Sequence, residues 1–179
     1  MRLSSLFSAA ALSLAICAPA GATVFSFSTT LSGSAESPVN GSTATGHADV
    51  SFNDVAGNVT VDVTFNGLSA LASAAHIHCC VLPTAVPSTT GVALGFAGFP
   101  NLTSDLYVAT LSTFSGGATF ASVLVGAQAG KAYVNIHDAN FPGGEVRGFL
   151  AAVPEPETYA LMLAGLGALA WVAKRRQQA

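Results

Sequence analysis

Three histidines in this chain have the residue type and spacing of metal ligands. His76 and His78 are separated by one residue, and His137 ends a later apolar stretch. Residues two apart in a β-strand point to the same side, so the first two imidazoles can meet one ion. Imidazole nitrogen suits copper or zinc. The alternative is a polar cluster in which backbone carbonyls or Asp138 hydrogen-bond each ring.

Two adjacent cysteines, Cys79 and Cys80, follow the first two histidines. If the strand continues through them, Cys80 joins the face of His76 and His78 as a further candidate ligand, and Cys79 points away. The alternatives are a vicinal disulfide, which oxidising conditions outside the cytoplasm favour, and disulfides to other chains.

A glycine-rich turn at residues 142–144 leads into the last apolar stretch. Glu145 and Arg147 follow it and share one face if that stretch is a strand. One interpretation is an ion pair that locks the turn to a neighbour such as Asp138. The other is an anion contact beside the histidines. The sequence has no nucleophile elbow and no phosphate-binding loop, so we expect a protein that is not an enzyme.

The composition excludes several classes of protein. Hydrophobic residues make up 51% of the chain, charged residues 8%, and the net charge is −3. A long disordered chain needs more charge and fewer apolar residues. Without a basic patch to neutralise phosphates, we expect no nucleic-acid partner.

The first 22 residues have the pattern of a secretory signal peptide. One arginine precedes an apolar run, and small residues follow it. We expect cleavage after Ala22, with cleavage after Ala20 as the alternative. The domain that carries the function is then residues 23–152.

Within residues 23–152, short apolar or alternating stretches are separated by Gly and Pro, which predicts β-strands. The eight predicted strands are residues 25–31, 44–52, 59–68, 75–82, 91–96, 106–114, 132–137 and 145–152. Residues 118–126 could form a further strand or a short helix. This pattern predicts an all-β fold, an antiparallel β-sandwich or Greek-key barrel of about eight strands.

The C-terminal segment, residues 153–179, has three parts in order. They are the tripeptide Pro154-Glu155-Pro156, an apolar run, and the basic cluster Lys174-Arg175-Arg176. As a helix the apolar run reaches about 22 Å, which is short for a hydrocarbon core of roughly 30 Å. We expect a short transmembrane helix whose basic end stays in the cytoplasm.

These three parts resemble the PEP-CTERM sorting signal of Gram-negative bacteria. The resemblance implies export through the Sec translocon, transient anchoring in the inner membrane, and recognition and removal of the tail by an exosortase. It also implies a final location at the cell surface or outside the cell, in bacteria that make exopolysaccharide and biofilms. The sorting helix is then the chain's sole contact with the membrane.

The working domain is similar to the CHRD domain, named after chordin, over about residues 25–150. The segments that carry the resemblance are residues 75–78, 132–137 and 142–148, with residues 31–46 fitting the same pattern. The family includes animal chordins, which bind bone morphogenetic proteins, and many exported bacterial proteins. Cys79 and Cys80 depart from the small or polar residues usual there.

A fainter likeness is to copper-zinc superoxide dismutase. It implies copper ligands at His76, His78 and His137, with Arg147 beside an anion entrance. The chain has no counterpart of the metal-bridging histidine, since His47 lies in a different segment, and it lacks the zinc loop. The likeness therefore concerns geometry and does not imply dismutase activity.

Together these patterns predict an exported, non-enzymatic protein of the cell surface or the exopolysaccharide matrix. Its β domain would bind or scaffold exopolysaccharide or other matrix proteins. The alternative is an exported protein that binds copper or zinc through the three histidines.

Overall fold

The computed structural model describes residues 23–85, 88–154 and 156–178. The predicted signal peptide, with its two candidate cleavage sites, lies outside the described residues. Glu155 of the sorting tripeptide lies outside them as well.

Nine strands and two α-helices make up most of the described chain. The strands are β1 (Val24–Ser32), β2 (Thr45–Asn53), β3 (Asn58–Asn66), β4 (Ala72–Cys79), β5 (Val92–Gly95), β6 (Asp105–Leu111), β7 (Ala132–Asp138), β8 (Val146–Phe149) and β9 (Ala151–Ala152). A short 3-10 helix, Gly33–Ala35, follows β1. The helices are α1 (Phe120–Gln128) and α2 (Pro156–Gln177).

The strands form one antiparallel sheet in the order β5-β4-β7-β8-β1-β2-β3-β6, and β9 adds to β1. A bridge between Leu94 and Phe114 joins β5 to the chain that follows β6, so the sheet nearly closes into a barrel of eight strands. Strand β7 pairs with β4 and β8, not with the preceding strand β6. The predicted fold class is confirmed.

Alternation along the strands fills the barrel interior. In β3 the four apolar residues Val59, Val61, Val63 and Phe65 are buried, while the polar residues between them face outward. Strand β7 differs because its outward residues are also largely covered. A strand buried on both faces needs something packed on its outer side, and here this is a layer of polar and aromatic side chains beneath loops.

For residues 118–126 the sequence allows a further strand or a short helix. The structure shows a helix, α1, from Phe120 onward. Thr119 and Ser122 form a capping box, in which each side chain accepts a hydrogen bond from the other residue's backbone N–H. Val123 and Ala127, four residues apart, turn toward the barrel and are buried.

Helix α2 covers the apolar run and the basic cluster of the C-terminal segment. No helix in the described parts of the chain is both long enough and apolar enough to cross a membrane.

Candidate metal centre

The outer face of β4, β7 and β8 carries the candidate site. Strand register places His76 opposite Asn135 and His78 opposite Tyr133, and Arg147 pairs with Asn135 from the other side. Directly paired residues of antiparallel strands point to the same face. These side chains therefore form one patch, with the apolar residues between them turned into the barrel.

His137 completes a cluster with the other two histidines. It lies opposite Ala74, two residues before His76 on β4, so it stands diagonally across from His76. One ring nitrogen from each of the three residues lies within 4.8 Å of the other two. The ring centroid of His76 is 5.6 Å from that of His78 and 5.1 Å from that of His137. The structure thus brings together all three histidines singled out in the sequence.

Backbone carbonyls fix the orientation of two of the rings. His78 Nδ1 donates to the Thr90 carbonyl at 2.8 Å, and His137 Nδ1 donates to the Pro142 carbonyl at 3.0 Å. Each Nδ1 must carry the proton because a carbonyl only accepts, so each Nε2 keeps a free lone pair. This arrangement is common for metal-binding histidines.

Three ring nitrogens in the cluster are buried and unpartnered. They are Nδ1 of His76 and Nε2 of His78 and His137, none of which has a hydrogen-bond partner among the described residues. A buried polar atom normally finds a partner because leaving it bare costs about 1–3 kcal/mol. Three such atoms at one place make the cluster a candidate site for a ligand.

The rings are held neutral. Burial, together with the neighbouring His137 and His78, lowers the pKa of His76 to about 4. Burial also lowers the pKa of His78 and that of His137. Neutral imidazole is the form that ligates a metal, so the three lone pairs are available at neutral pH.

The cysteines do not join the histidines. Strand β4 ends at Cys79, so Cys80 lies beyond the strand, and the period-two argument that placed it on the histidine face fails. The two sulfurs are bonded to each other in a vicinal disulfide, one of the alternatives open from the sequence. They pack against α1, close to Gly126.

Arg147 lies under the loops, not at an entrance. It is 2% exposed, and its guanidinium donates to the carbonyls of Ala35 and Ser88 and to the Ser88 hydroxyl. Its Nε is 3.7 Å from a carboxylate oxygen of Glu36, which takes the place of the expected partner Asp138. The guanidinium carbon also lies 4.9 Å from the centre of the Tyr133 ring. With these donors engaged, the arginine is not placed for the anion contact considered from the sequence.

Glu145 directly precedes β8, and its hydrogen-bond partners differ from those of Arg147. It is fully buried, and its carboxylate accepts from the Ser42 hydroxyl and the Ser69 backbone N–H. Asp138, also buried, accepts from the Ser69 hydroxyl. Burial and the adjacent Asp138 raise the pKa of Glu145. The two acids thereby tie the turn at residues 142–144 to the loop after β3.

Sequence reasoning missed the groups that support the histidines. The carbonyls of Thr90 and Pro142 give no signal in the sequence, since every residue has a backbone carbonyl. Tyr133 could have been found, because it lies four residues before His137 on the same strand face. Its ring stacks on His78 with 4.9 Å between ring centroids.

The fold and this site define a nearly closed antiparallel β-barrel with a partly buried histidine cluster on its outer face. The model of the CHRD domain matches residues 27–150, more than half of the chain, so the chain belongs to the CHRD-domain family. The PEP-CTERM protein-sorting motif matches residues 152–177, which implies exosortase-mediated sorting and export in Gram-negative bacteria. Both predicted resemblances are confirmed. Neither the curated proteins nor the solved structures compared include a match to the chain.

Proposed function

We propose that this exported CHRD protein binds a copper or zinc ion through His76, His78 and His137. Two observations carry the proposal: one ring nitrogen from each histidine lies within 4.8 Å of the other two, and each ring has a buried nitrogen without a hydrogen-bond partner among the described residues. Nitrogen donors suit copper and zinc, whereas magnesium, calcium and manganese prefer oxygen.

The alternative of a purely structural polar cluster explains less of the geometry. Backbone carbonyls satisfy one nitrogen of His78 and one of His137, as that alternative expects. One further nitrogen of each ring is buried without a hydrogen-bond partner among the described residues, which that alternative leaves unexplained. An ion among them would supply the missing partner for all three.

Metal content of the full-length protein, exported to the periplasm and purified without chelators, tests the proposal. We expect close to one copper or zinc ion per chain by mass spectrometry, lost in the His76→Ala/His78→Ala variant. His47→Ala is the matched control, because His47 is an exposed histidine on β2 outside the cluster. A folded wild-type protein that holds no metal would overturn the proposal.

We also propose a binding role in place of catalysis. In the dismutase likeness, an arginine beside the metal would receive an anionic substrate. Here Arg147 is buried, with its guanidinium bonded to Ala35 and Ser88 and its charge facing Glu36. Purified, copper-loaded protein should therefore show no superoxide dismutation above that of the His76→Ala/His78→Ala variant.

Export through the sorting motif supports a second proposal, namely that the β domain binds exopolysaccharide or matrix proteins at the cell surface. Pull-down with purified exopolysaccharide tests it. We expect capture that survives the His76→Ala/His78→Ala change, because this proposal does not place the polymer at the histidine cluster. Absence of capture of the wild-type protein would contradict the proposal.

A further inference from the structure

The number of ligands at the histidine cluster limits which ion fits it. Across residues 23–85, 88–154 and 156–178, no fourth histidine, cysteine, aspartate or glutamate joins the three histidines. Structural zinc sites almost always have four protein ligands, and zinc sites with three histidines keep a further position open for water. Monovalent copper is stable with three nitrogen ligands alone.

The charge around the cluster also limits which ion can bind there. Asp138 is next to His137 in sequence, but its carboxylate accepts from Ser69 and from the backbone N–H of Ala70 and so faces away. Glu36 faces Arg147 and also accepts from the Asn135 side chain. The guanidinium carbon of Arg147 lies 4.9 Å from the centre of the Tyr133 ring, which stacks on His78, so a positive charge stands near the cluster. No carboxylate among the described residues joins the three histidines as a ligand.

An uncompensated charge is costly to bury, and the cost rises with the square of the charge. Moving a divalent ion into this environment therefore costs about four times as much as moving a monovalent one. Zinc and cupric copper carry two charges, whereas cuprous copper carries one. The three imidazoles are neutral, so no ligand charge offsets this difference.

We propose that the three histidines take monovalent copper in preference to zinc or cupric ion. The inference rests on the proposed function, because it concerns the same three ligands. It adds the oxidation state of the ion and the reason for the choice, which is a neutral site near a buried guanidinium.

Competition titrations on the full-length protein test the preference. Cu⁺ is kept reduced with ascorbate without oxygen and titrated against a colorimetric chelator, while Zn²⁺ and Cu²⁺ are titrated separately without ascorbate. We expect Cu⁺ to bind at least about tenfold more tightly than either divalent ion. His76→Ala/His78→Ala should lose the Cu⁺ site, and His47→Ala should keep it.

Equal or tighter binding of Zn²⁺ or Cu²⁺ at the same histidines would overturn this inference and leave the proposed function standing. Failure of all three ions to bind would overturn both. The two failures are therefore distinguishable in one set of titrations.

A second pair of variants tests the charge argument itself. Ala74 lies opposite His137 and lines the groove of about 440 Å³ that reaches His76. Ala74→Asp adds a carboxylate beside the cluster, and Ala74→Asn adds a neutral side chain of the same shape. We expect the ratio of Cu⁺ affinity to Zn²⁺ affinity to be about tenfold smaller in Ala74→Asp than in Ala74→Asn. An identical preference in the two variants would show that charge does not set the choice.

Discussion

Arg147 is the residue that connects the loops to the metal centre. It holds Ser88 through two hydrogen bonds, and two residues later the Thr90 carbonyl fixes the ring of His78. The same guanidinium holds the carbonyl of Ala35 on the opposite loop. A buried arginine with this many backbone partners acts as a positioning residue, because it orders chain segments that are far apart in sequence.

Substituting Arg147 should weaken both the fold and the metal site. Arg147→Met removes its hydrogen bonds and leaves Glu36 buried without a cation, so we expect a loss of about 3 kcal/mol in the free energy of unfolding. Arg147→Lys keeps the charge, should lose less stability, and should still fall about tenfold or more in metal affinity because the loop of Thr90 is released. Urea unfolding and metal titration measure the two effects.

Lys131→Met is the matched control for these arginine variants, since Lys131 is the other basic residue between 23 and 152. Lys131→Met should change the free energy of unfolding by no more than about 0.5 kcal/mol. It should leave metal affinity unchanged. If Arg147→Lys binds metal as tightly as the wild type, the positioning role of Arg147 is wrong.

Glu36 should make stability depend on pH. Burial raises its pKa to about 7, in spite of the opposing effect of Arg147. A raised acid pKa favours the folded state below the unfolded pKa of about 4.5, and this advantage is lost as the pH rises through 7. We expect the wild type to lose up to about 3 kcal/mol relative to Glu36→Gln between pH 4.5 and 8. Urea unfolding across this range is the measurement, and a constant difference between the two proteins would contradict it.

At the scale of elements, helix α1 rests on the vicinal disulfide at the end of β4. Gly126 is the residue of α1 that faces the two sulfurs, and a Cβ atom there would overlap both of them. The helix thus comes close to β4 only because this position has no side chain. Glycine in a helix otherwise lowers stability, so its presence has a packing reason.

Gly126→Ala should therefore destabilise the protein by about 1–3 kcal/mol, the usual cost of overpacking. In a Cys79→Ala/Cys80→Ala background the same change should cost less or become stabilising, because alanine favours the helix by about 1 kcal/mol. A double-mutant cycle by urea unfolding measures this coupling. Gly41→Ala, where a Cβ would contact nothing, is the control.

Much of this architecture could be predicted from the sequence, because strand burial follows a regular period. Contacts that depend on tertiary packing could not be predicted. Period-two alternation identifies strands such as β3, because burial on one face acts at every second residue. The spacing of His76 and His78 likewise places them on one face. The partnership of Glu36 with Arg147 could not be predicted, since it depends on which loops the barrel brings together. The sequence wrongly predicts Cys80 on the histidine face, because tertiary packing sets where a strand ends.

At the scale of the whole molecule, the chain couples a compact barrel to a separate sorting segment. Strand β9 pairs with β1 just before the sorting motif begins, so the barrel is complete without α2. The basic cluster lies in the last turn of α2, and Arg175 stacks on Trp171 with 4.4 Å between the guanidinium carbon and the ring centroid.

Deleting the exosortase of the producing bacterium should leave the sorting segment attached and the protein in the cell envelope. The reason is that the PEP-CTERM motif is the feature of this chain that an exosortase sorts. Intact-mass measurement and fractionation of the envelope and the medium check the result. If the mutant strain still removes the segment and releases the protein, the sorting assignment is wrong. A variant with Pro154→Ala and Pro156→Ala should behave like the deletion strain.

The separation of the ligands along the chain has a consequence for when the ion is acquired. His76 and His137 meet only because β4 pairs with β7, and the carbonyls that orient His78 and His137 come from two further loops. A chain that crosses a membrane unfolded has none of these contacts during its passage. Under the function proposed here, the ion would therefore be taken up after translocation, from the supply outside the cytoplasm, and the folded site would choose among the ions present in that compartment.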